Sequence, residues 1–239
     1  MRKVLALLLC IVGFAATLSV AFAASPLKIV VYGGTGNIGQ RIVHEALNRG
    51  HTVTVVVRNP SEFTEQHDRL HVLMGDVLDS AQVAQVIAGA DAVVCAVSFR
   101  KPTPDYAAYR RAGESLVAAL RNLAPHSPYL IVVGGAGSLE KSPGVLVLDS
   151  MPAAYRGEVL GQKEALDYYR TVADVPWSYF SPALVIAPGE RTGKFRLGGD
   201  QLIVDAKGDS QISMEDYAVA VIDEAEKPAH LHQRFTIGY

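Results

Sequence analysis

The stretch Lys28-Ile-Val-Val-Tyr-Gly-Gly-Thr-Gly-Asn-Ile-Gly-Gln40 decides the fold of this 239-residue chain. A short apolar run breaks into glycines, and an amphipathic segment from Ile38 to Arg49 follows at once and ends at Gly50. This change from a short apolar run to apolar residues at helical spacing indicates a strand, a tight loop and a helix.

Three glycines of this loop have separate physical roles. Gly33 lets the chain turn sharply out of the strand, Gly36 lacks the Cβ that would keep a pyrophosphate away from the backbone, and Gly39 lets the helix lie close to the sheet. The free N–H groups and the positive dipole end at the start of the helix suit a phosphate group. Plain structural loops also carry such glycines, but a second apolar run from Thr52 to Val57 favours a dinucleotide site.

Strand and helix signals alternate along nearly the whole chain, which predicts βαβ units and a parallel sheet buried on both faces. The fold class is therefore α/β, a Rossmann-type doubly wound sheet in which right-handed crossovers give the strand order 3-2-1-4-5. The predicted strands cover residues 29–32, 52–57, 71–74, 92–97, 129–133 and 177–180, and the helices between them residues 38–49, 80–88, 105–123 and 153–171.

The last part of the chain differs in character. Residues 194–204 resemble a hairpin about Gly198-Gly199, residues 215–225 a helix, and residues 235–237 a last strand. These pieces are too few for a separate core. We expect a single domain over residues 27–239, in which residues from about 183 to 215 form a small substrate lobe over the carboxyl ends of the strands.

The N-terminus carries Arg2-Lys3, an apolar run from Val4 to about Ala24, and the sequence Ala21-Phe-Ala23. This pattern predicts a signal peptide, residues 1–23, that is cleaved before Ala24 on export to the periplasm or outside the cell. Because the run is long, a retained membrane anchor is the alternative. A nicotinamide cofactor is expected mainly inside cells, so a true start nearer Leu27 and a cytoplasmic protein form a third reading.

Composition excludes several function classes. With 49% hydrophobic and 19% charged residues, the chain suits an ordinary α/β domain. A net charge of −2 gives no basic surface for nucleic acid. The two cysteines, Cys10 and Cys95, provide no disulfide framework in a mature domain, and the histidines lack the spacing of a metal site.

Together these features resemble an atypical short-chain dehydrogenase/reductase. The nearest group is that of the NmrA-like NAD(P)-binding proteins often labelled NADH-flavin reductases, which are similar to biliverdin IXβ/flavin reductase. The residues that carry the resemblance are the glycine loop, Arg58, Gly75-Asp76, the glycines at 134–137 with Ser138, Trp177-Ser-Tyr-Phe-Ser-Pro182, Pro188-Gly-Glu-Arg-Thr-Gly-Lys194 and Leu197-Gly-Gly-Asp200.

The resemblance implies which residues hold the cofactor. Arg58 occupies the position where an acid would bind a ribose 2′-hydroxyl, so NADP(H) is expected in preference to NAD(H); a solvated arginine is the alternative. Asp76 would lie near the adenine, or form an ordinary Asx turn. Ser98 would face the ribose and nicotinamide. The full predicted set is Gly33, Thr35, Gly36, Asn37, Ile38, Gly39, Arg58, Asp76, Val77, Ser98 and Pro182.

The candidate catalytic residues are Ser138 and Tyr155. Ser138 matches the serine that follows the fifth strand in this superfamily, although a loop serine is usually a cap. The superfamily's Tyr-x-x-x-Lys pair, whose lysine lowers the phenol pKa for proton transfer, is absent. Four residues beyond Tyr155 stands Val159, and beyond Tyr109 stands Gly113. Alcohol and ketone chemistry of the usual kind is therefore not expected.

These points predict an NADPH-dependent oxidoreductase that transfers hydride to a flavin, a quinone or a similar conjugated small molecule, which can take its proton from solvent. The alternative is a redox sensor that binds NADP(H) without turnover, and an epimerase or dehydratase is a third reading. The expected partner is the small-molecule acceptor, with no nucleic acid and no metal. A membrane enters only if the leader is retained, and the sequence leaves the oligomeric state open.

Overall fold

The computed structural model describes residues 25–100 and 103–239. The predicted leader, residues 1–23, lies outside them. Within the described ranges, no helix has both the length and the apolar character needed to cross a membrane.

The elements alternate as the sequence predicts through most of the chain. The helices are α1 (Asn37–Asn48), α2 (Ser80–Ile87), α3 (Ala108–Asn122), α4 (Ala153–Tyr169) and α5 (Met214–Glu226). The strands are β1 (Lys28–Tyr32), β2 (Thr52–Val57), β3 (Leu70–Met74), β4 (Ala92–Cys95), β5 (Tyr129–Val133), β6 (Glu140–Ser142), β7 (Val145–Leu146), β8 (Trp177–Ser181), β9 (Val185–Ala187), β10 (Arg196–Gly198), β11 (Gln211–Ser213) and β12 (Gln233–Gly238).

Eight strands form the main sheet in the order β10-β12-β8-β5-β4-β1-β2-β3. All neighbours in it are parallel except β10, which runs antiparallel to β12. The first five predicted strands thus have the expected order, and the doubly wound fold is confirmed. The chain leaves β1 toward β2 on one side and later returns to place β4 on the other. This switch point is where open α/β sheets bind ligands, outside the carboxyl ends of the strands.

Two hydrophobic layers cover the sheet, one on each face. On one face α1 and α5 pack through Ile42 and Tyr217. On the other face α2, α3 and α4 pack through Ile87, Leu116 and Tyr169. The central strands β1, β4 and β5 read as nearly continuous apolar runs because both of their faces are buried.

The predicted hairpin about Gly198-Gly199 is wrong. β10 pairs with β12 in the main sheet instead of folding back, and Gln201 beyond it forms a bridge with Glu140. An isolated two-stranded hairpin is marginal in water, whereas the free edge of β12 offers hydrogen bonds to a strand already supported by a core. The rest of the predicted lobe contributes β9 and β11, which form a small parallel sheet. A role for this segment in substrate binding stays a prediction.

The buried carboxylate of Asp216 connects the loop at Thr192 and Gly193 to α5. Asp216 accepts hydrogen bonds from Thr192 Oγ1 at 2.6 Å, from the Gly193 N–H at 2.8 Å and from Tyr239 Oη at 2.8 Å. Burial alone would raise the pKa of Asp216, but the hydrogen bonds together outweigh it and hold the pKa below its usual value. The last residue of the chain is thereby fixed against the start of α5.

Candidate functional site

A cavity of about 320 Å³ opens at the carboxyl ends of β1, β2, β3 and β4, at the switch point of the sheet. Its wall is formed by residues at the end of each of these strands or in the segment that follows. Most of the predicted cofactor residues contribute to it. Those that line the cavity are Gly33, Thr35, Gly36, Arg58, Asp76, Val77 and Ser98.

The glycine loop has the geometry that its sequence predicts. Gly33 has φ = +83°, in the left-handed region that favours glycine. A Cβ on Gly39 would lie 2.1 Å from the carbonyl oxygen of Gly33, so the first turn of α1 rests directly on the loop backbone. A Cβ on Gly36 would meet only the Gly33 oxygen, at 3.3 Å, which leaves the cavity side of this residue open to a ligand.

The start of α1 is ready to bind an anion. The first helix hydrogen bond runs from the Gln40 N–H to the Gly36 oxygen at 2.9 Å, and among the described residues no acceptor is found for the N–H groups of Asn37, Ile38 and Gly39. Gly36 provides no side chain that could cap them, and the first turn holds no acid. Unpaired N–H groups and the helix dipole both favour a phosphate at this point.

Arg58 lies at the opposite side of the cavity from β4. It follows β2 directly, its side chain is exposed, and its guanidinium has no carboxylate partner among the described residues. An unpaired guanidinium on a cavity wall is well suited to a phosphate, which it binds with two parallel hydrogen bonds.

Asp76 forms the Asx turn that was one of its two predicted roles, and its predicted place near the adenine stays a prediction. Its Oδ1 accepts the Leu78 N–H at 3.0 Å, which is an Asx turn, and its own N–H donates to Gln82 Oε1 at 2.8 Å. The same residue lines the cavity. The turn therefore fixes the Asp76 carboxylate at the wall of the cavity.

The segment after β4 supplies wall residues that the sequence prediction left out of the cofactor set. Phe99, Thr103 and Asp105 line the cavity beside Ser98. The Asp105 N–H donates to the Phe99 oxygen at 2.9 Å, which brings the two ends of this segment together. Its only sequence signal is its position directly after a buried strand.

Several predicted residues lie outside the cavity wall. Asn37, Ile38 and Gly39 form the first turn of α1 behind it, and Pro182 is buried after β8. Tyr155 is 60% exposed near the start of α4. Their predicted roles in cofactor binding or catalysis stay predictions.

Ser138 takes part in a separate buried polar group. Its Oγ lies 3.5 Å from Nη1 of Arg234, whose Nε donates to Asp200 Oδ1 at 2.6 Å. Burial lowers the pKa of Arg234, although Asp200 acts in the opposite direction. The catalytic role of Ser138 also stays a prediction.

The glycines after β5 allow close packing. A Cβ on Gly135 would lie 1.9 Å from Gln162 Oε1, and a Cβ on Gly137 would lie 2.2 Å from Val159 Cγ1, both on α4. These glycines therefore bring α4 against the end of β5.

The described part of the chain holds no cluster of at least three histidine, cysteine, aspartate or glutamate residues that could bind a metal ion.

Comparison with known proteins agrees with this geometry. A family model described as NAD(P)H-binding matches residues 33–228. A candidate exported protein from Burkholderia pseudomallei is 40% identical; the match covers 89% of this chain and 100% of that one, with a TM-score of 0.80. A candidate epimerase from Bacteroides thetaiotaomicron is 38% identical, over 90% and 97% of the two chains, with a TM-score of 0.81. A candidate NADH-flavin reductase from Streptococcus pneumoniae is 31% identical, over 89% and 99%, with a TM-score of 0.77.

The glycine loop generates a direct test. Gly39→Ala would place a methyl group against the Gly33 carbonyl, and we expect a loss of about 1–3 kcal/mol in the free energy of unfolding because the backbone must move to relieve this clash. Nicotinamide dinucleotide binding should weaken with it. Urea unfolding and cofactor titration measure the two effects. Gly199→Ala is the control, since its Cβ would meet nothing within 4 Å; equal effects of the two substitutions would contradict the packing argument.

Proposed function

Because the chain belongs to the NAD(P)H-binding family and is an NmrA-like atypical short-chain dehydrogenase/reductase, we propose that it is an NADPH-dependent oxidoreductase. The proposed reaction is hydride transfer to a flavin, a quinone or a similar conjugated small molecule. The observation that carries the proposal is the cavity at the switch point. The glycine loop on its wall leads into the start of α1, whose first N–H groups have no acceptor among the described residues, and Arg58 on the wall has no carboxylate partner among those residues.

The described residues fit such a cofactor. Gly33 and Gly36 keep the backbone free of side chains beside the N–H groups of α1, which would hold the pyrophosphate. Arg58 would bind a 2′-phosphate, and Asp76 would contact the adenosine half. In this proposal the nicotinamide half would extend toward β4, along Ser98 and Phe99, which line that side of the cavity.

The protein contributes mainly binding and orientation to the proposed reaction. When bound, the nicotinamide supplies the hydride. The chain lacks the Tyr-x-x-x-Lys pair that would hold a proton for an alcohol or ketone. An acceptor that takes its proton from solvent needs no such pair. In this proposal Ser138 and Tyr155 orient the acceptor and do not act as strong acids.

The relatives support more than one reading. The candidate NADH-flavin reductase, at 31% identity, favours a flavin as the acceptor and NAD(H) as the alternative to NADP(H). The candidate epimerase, at 38% identity, favours an epimerase as the competing enzyme. A sensor that binds NADP(H) without turnover remains the alternative from another class. Acceptor-dependent oxidation of NADPH separates the reductase from both.

Cofactor preference depends on Arg58. We expect tighter binding of NADP(H) than of NAD(H), and Arg58→Asp should weaken NADPH binding by about tenfold to a hundredfold, since a charge-assisted hydrogen bond contributes about 1.5–3 kcal/mol. NADH binding should change little. Arg156→Asp is a matched charge reversal on the exposed face of α4. Equal affinities of the wild type for the two cofactors, or no loss in Arg58→Asp, would refute the preference.

The acceptor class is tested by steady NADPH oxidation. We expect the purified protein to reduce free flavin or a quinone and to leave simple secondary alcohols and ketones unchanged. Ser138→Ala and Tyr155→Phe should each alter turnover only modestly, because an acid–base step would account for about 10²–10⁴-fold. A loss of that size in Tyr155→Phe would make the phenol an acid. Tight NADPH binding with no acceptor reduced would favour the sensor.

Export is proposed on the leader pattern and on the 40% identity to a candidate exported protein. We expect the protein from its native cell to begin at Ala24. Mass spectrometry of the intact protein measures this directly. A protein that retains Met1 would support the membrane anchor, and a cytosolic form that begins near Leu27 would exclude export.

A further inference from the structure

A buried hydroxyl and a carboxylate connect three elements beside the cavity. Oη of Tyr109 on α3 donates to Glu158 Oε1 on α4 at 2.9 Å. Nε of Arg100, in the segment after β4, donates to the same oxygen at 2.7 Å. Tyr109 is buried, and the Glu158 side chain is only 13% exposed.

Close packing between α4 and the start of α3 brings these groups together. A Cβ on Gly157 would lie 2.6 Å from the Tyr106 ring, and a Cβ on Gly161 would lie 2.4 Å from the Tyr106 oxygen. The two glycines lie one turn apart and let the chain at Tyr106 rest directly on α4. Glu158, which follows the first of them, is thereby held within reach of Tyr109.

The same hydroxyl connects to the cavity wall. The Phe99 N–H points to Tyr109 Oη at 3.5 Å, and the two rings meet edge to face at 5.1 Å and 89°. The Phe99 oxygen accepts the Asp105 N–H at 2.9 Å, so the Phe99 backbone is held on both sides. Phe99 and Ser98 line the cavity. Tyr109 thus contacts the cavity wall through Phe99, and Glu158 contacts Tyr109, although neither residue lines the cavity.

Charge argues against Tyr109 as a proton donor. Burial is the largest effect and raises the pKa of Tyr109; the hydrogen bond with Ser98 lowers it, the Glu158 carboxylate raises it, and the net shift is upward. A lysine partner would do the reverse, because a positive charge favours the phenolate. A neutral phenol with a raised pKa is a weak acid, and the contacts of Tyr109 with Phe99 suit it to holding the wall.

We propose that Glu158 and Tyr109 are positioning residues for the nicotinamide half of the cofactor. Through the Ser98–Phe99 wall they fix the end of the cavity at β4, while Arg58 and Asp76 fix the other end at β2 and β3. This inference rests on the proposed function, because it takes the cofactor to lie along the switch point. It adds Glu158 and Tyr109 as residues that affect the nicotinamide half of the cofactor and leave binding of the adenosine half unchanged.

The test separates the two halves of the cofactor. The probes are NADPH, whose nicotinamide fluorescence changes with its surroundings, and 2′-phospho-ADP-ribose, which lacks the nicotinamide. We expect Tyr109→Phe and Glu158→Ala to bind the fragment within about threefold of the wild type. Both should lose most of the change in nicotinamide fluorescence on binding. With a reducible acceptor, kcat should fall about tenfold to a hundredfold, since small displacements of the reacting groups carry such a cost.

Matched variants distinguish positioning from general stability. Glu158→Gln keeps an oxygen that accepts the Tyr109 hydroxyl and should recover most of the fluorescence change. Tyr168→Phe removes a hydroxyl from the same helix pair and should behave as wild type. The double variant Tyr109→Phe/Glu158→Ala should cost no more in kcat than the larger single effect, as expected for groups that act as a unit.

Each contrary result has its own meaning. If Tyr109→Phe and Glu158→Ala show the same change in nicotinamide fluorescence on binding and the same kcat as the wild type, the inference is overturned and the proposed function is left intact. Parallel losses for NADPH and the fragment overturn it as well, because they show a general disturbance of the fold. A Glu158→Gln variant no better than Glu158→Ala removes the hydrogen-bond argument. A wild type that binds neither probe overturns the proposed function, and this inference with it.

Discussion

The contact between residue 39 and the carbonyl of Gly33 is the constraint on which the site depends. A side chain at position 39 would stand 2.1 Å from that oxygen, and one at position 33 would stand 2.4 Å from the oxygen of Ala96. The loop after β1 is therefore pressed between the start of α1 and the end of β4. Because β1 lies at the switch point, this packing sets the start of α1 behind the part of the cavity wall that Gly33, Thr35 and Gly36 form.

Local sequence patterns predict most of the fold because strands, turns and helices depend largely on residues close together in the chain. The apolar runs of β1, β2 and β4 and the helical spacing in α1 follow directly from the sequence, and right-handed crossovers then give the strand order. The hairpin predicted about Gly198-Gly199 is wrong for the opposite reason. Its partner, β12, lies at the far end of the chain, and a local turn signal says nothing about a distant free edge.

The same division applies to the site. Gly33 and Arg58 line the cavity because each directly follows a strand whose carboxyl end is there, and Gly36 lines it from the loop between β1 and α1. Ser138 also follows a strand, but a buried arginine from the last strand, Arg234, lies beside it. No spacing rule contains that arginine, which is 96 residues away. Position after a strand predicts which edge of the sheet a residue occupies, and long-range packing decides what it meets there.

The chain lacks the Tyr-x-x-x-Lys pair, and residue spacing along one helix does not predict the partner that Tyr109 has instead. A search at four residues along a helix finds no partner for Tyr109, yet its hydroxyl meets Glu158, 49 residues away on another helix. The partner has the opposite charge to the lysine of the usual pair, so it raises the phenol pKa where the lysine would lower it. By the inference drawn above, Tyr109 and Glu158 hold the cavity wall in place and do not provide a strong acid. Such a site is suited to an acceptor that needs to be held in place and can obtain its proton from water.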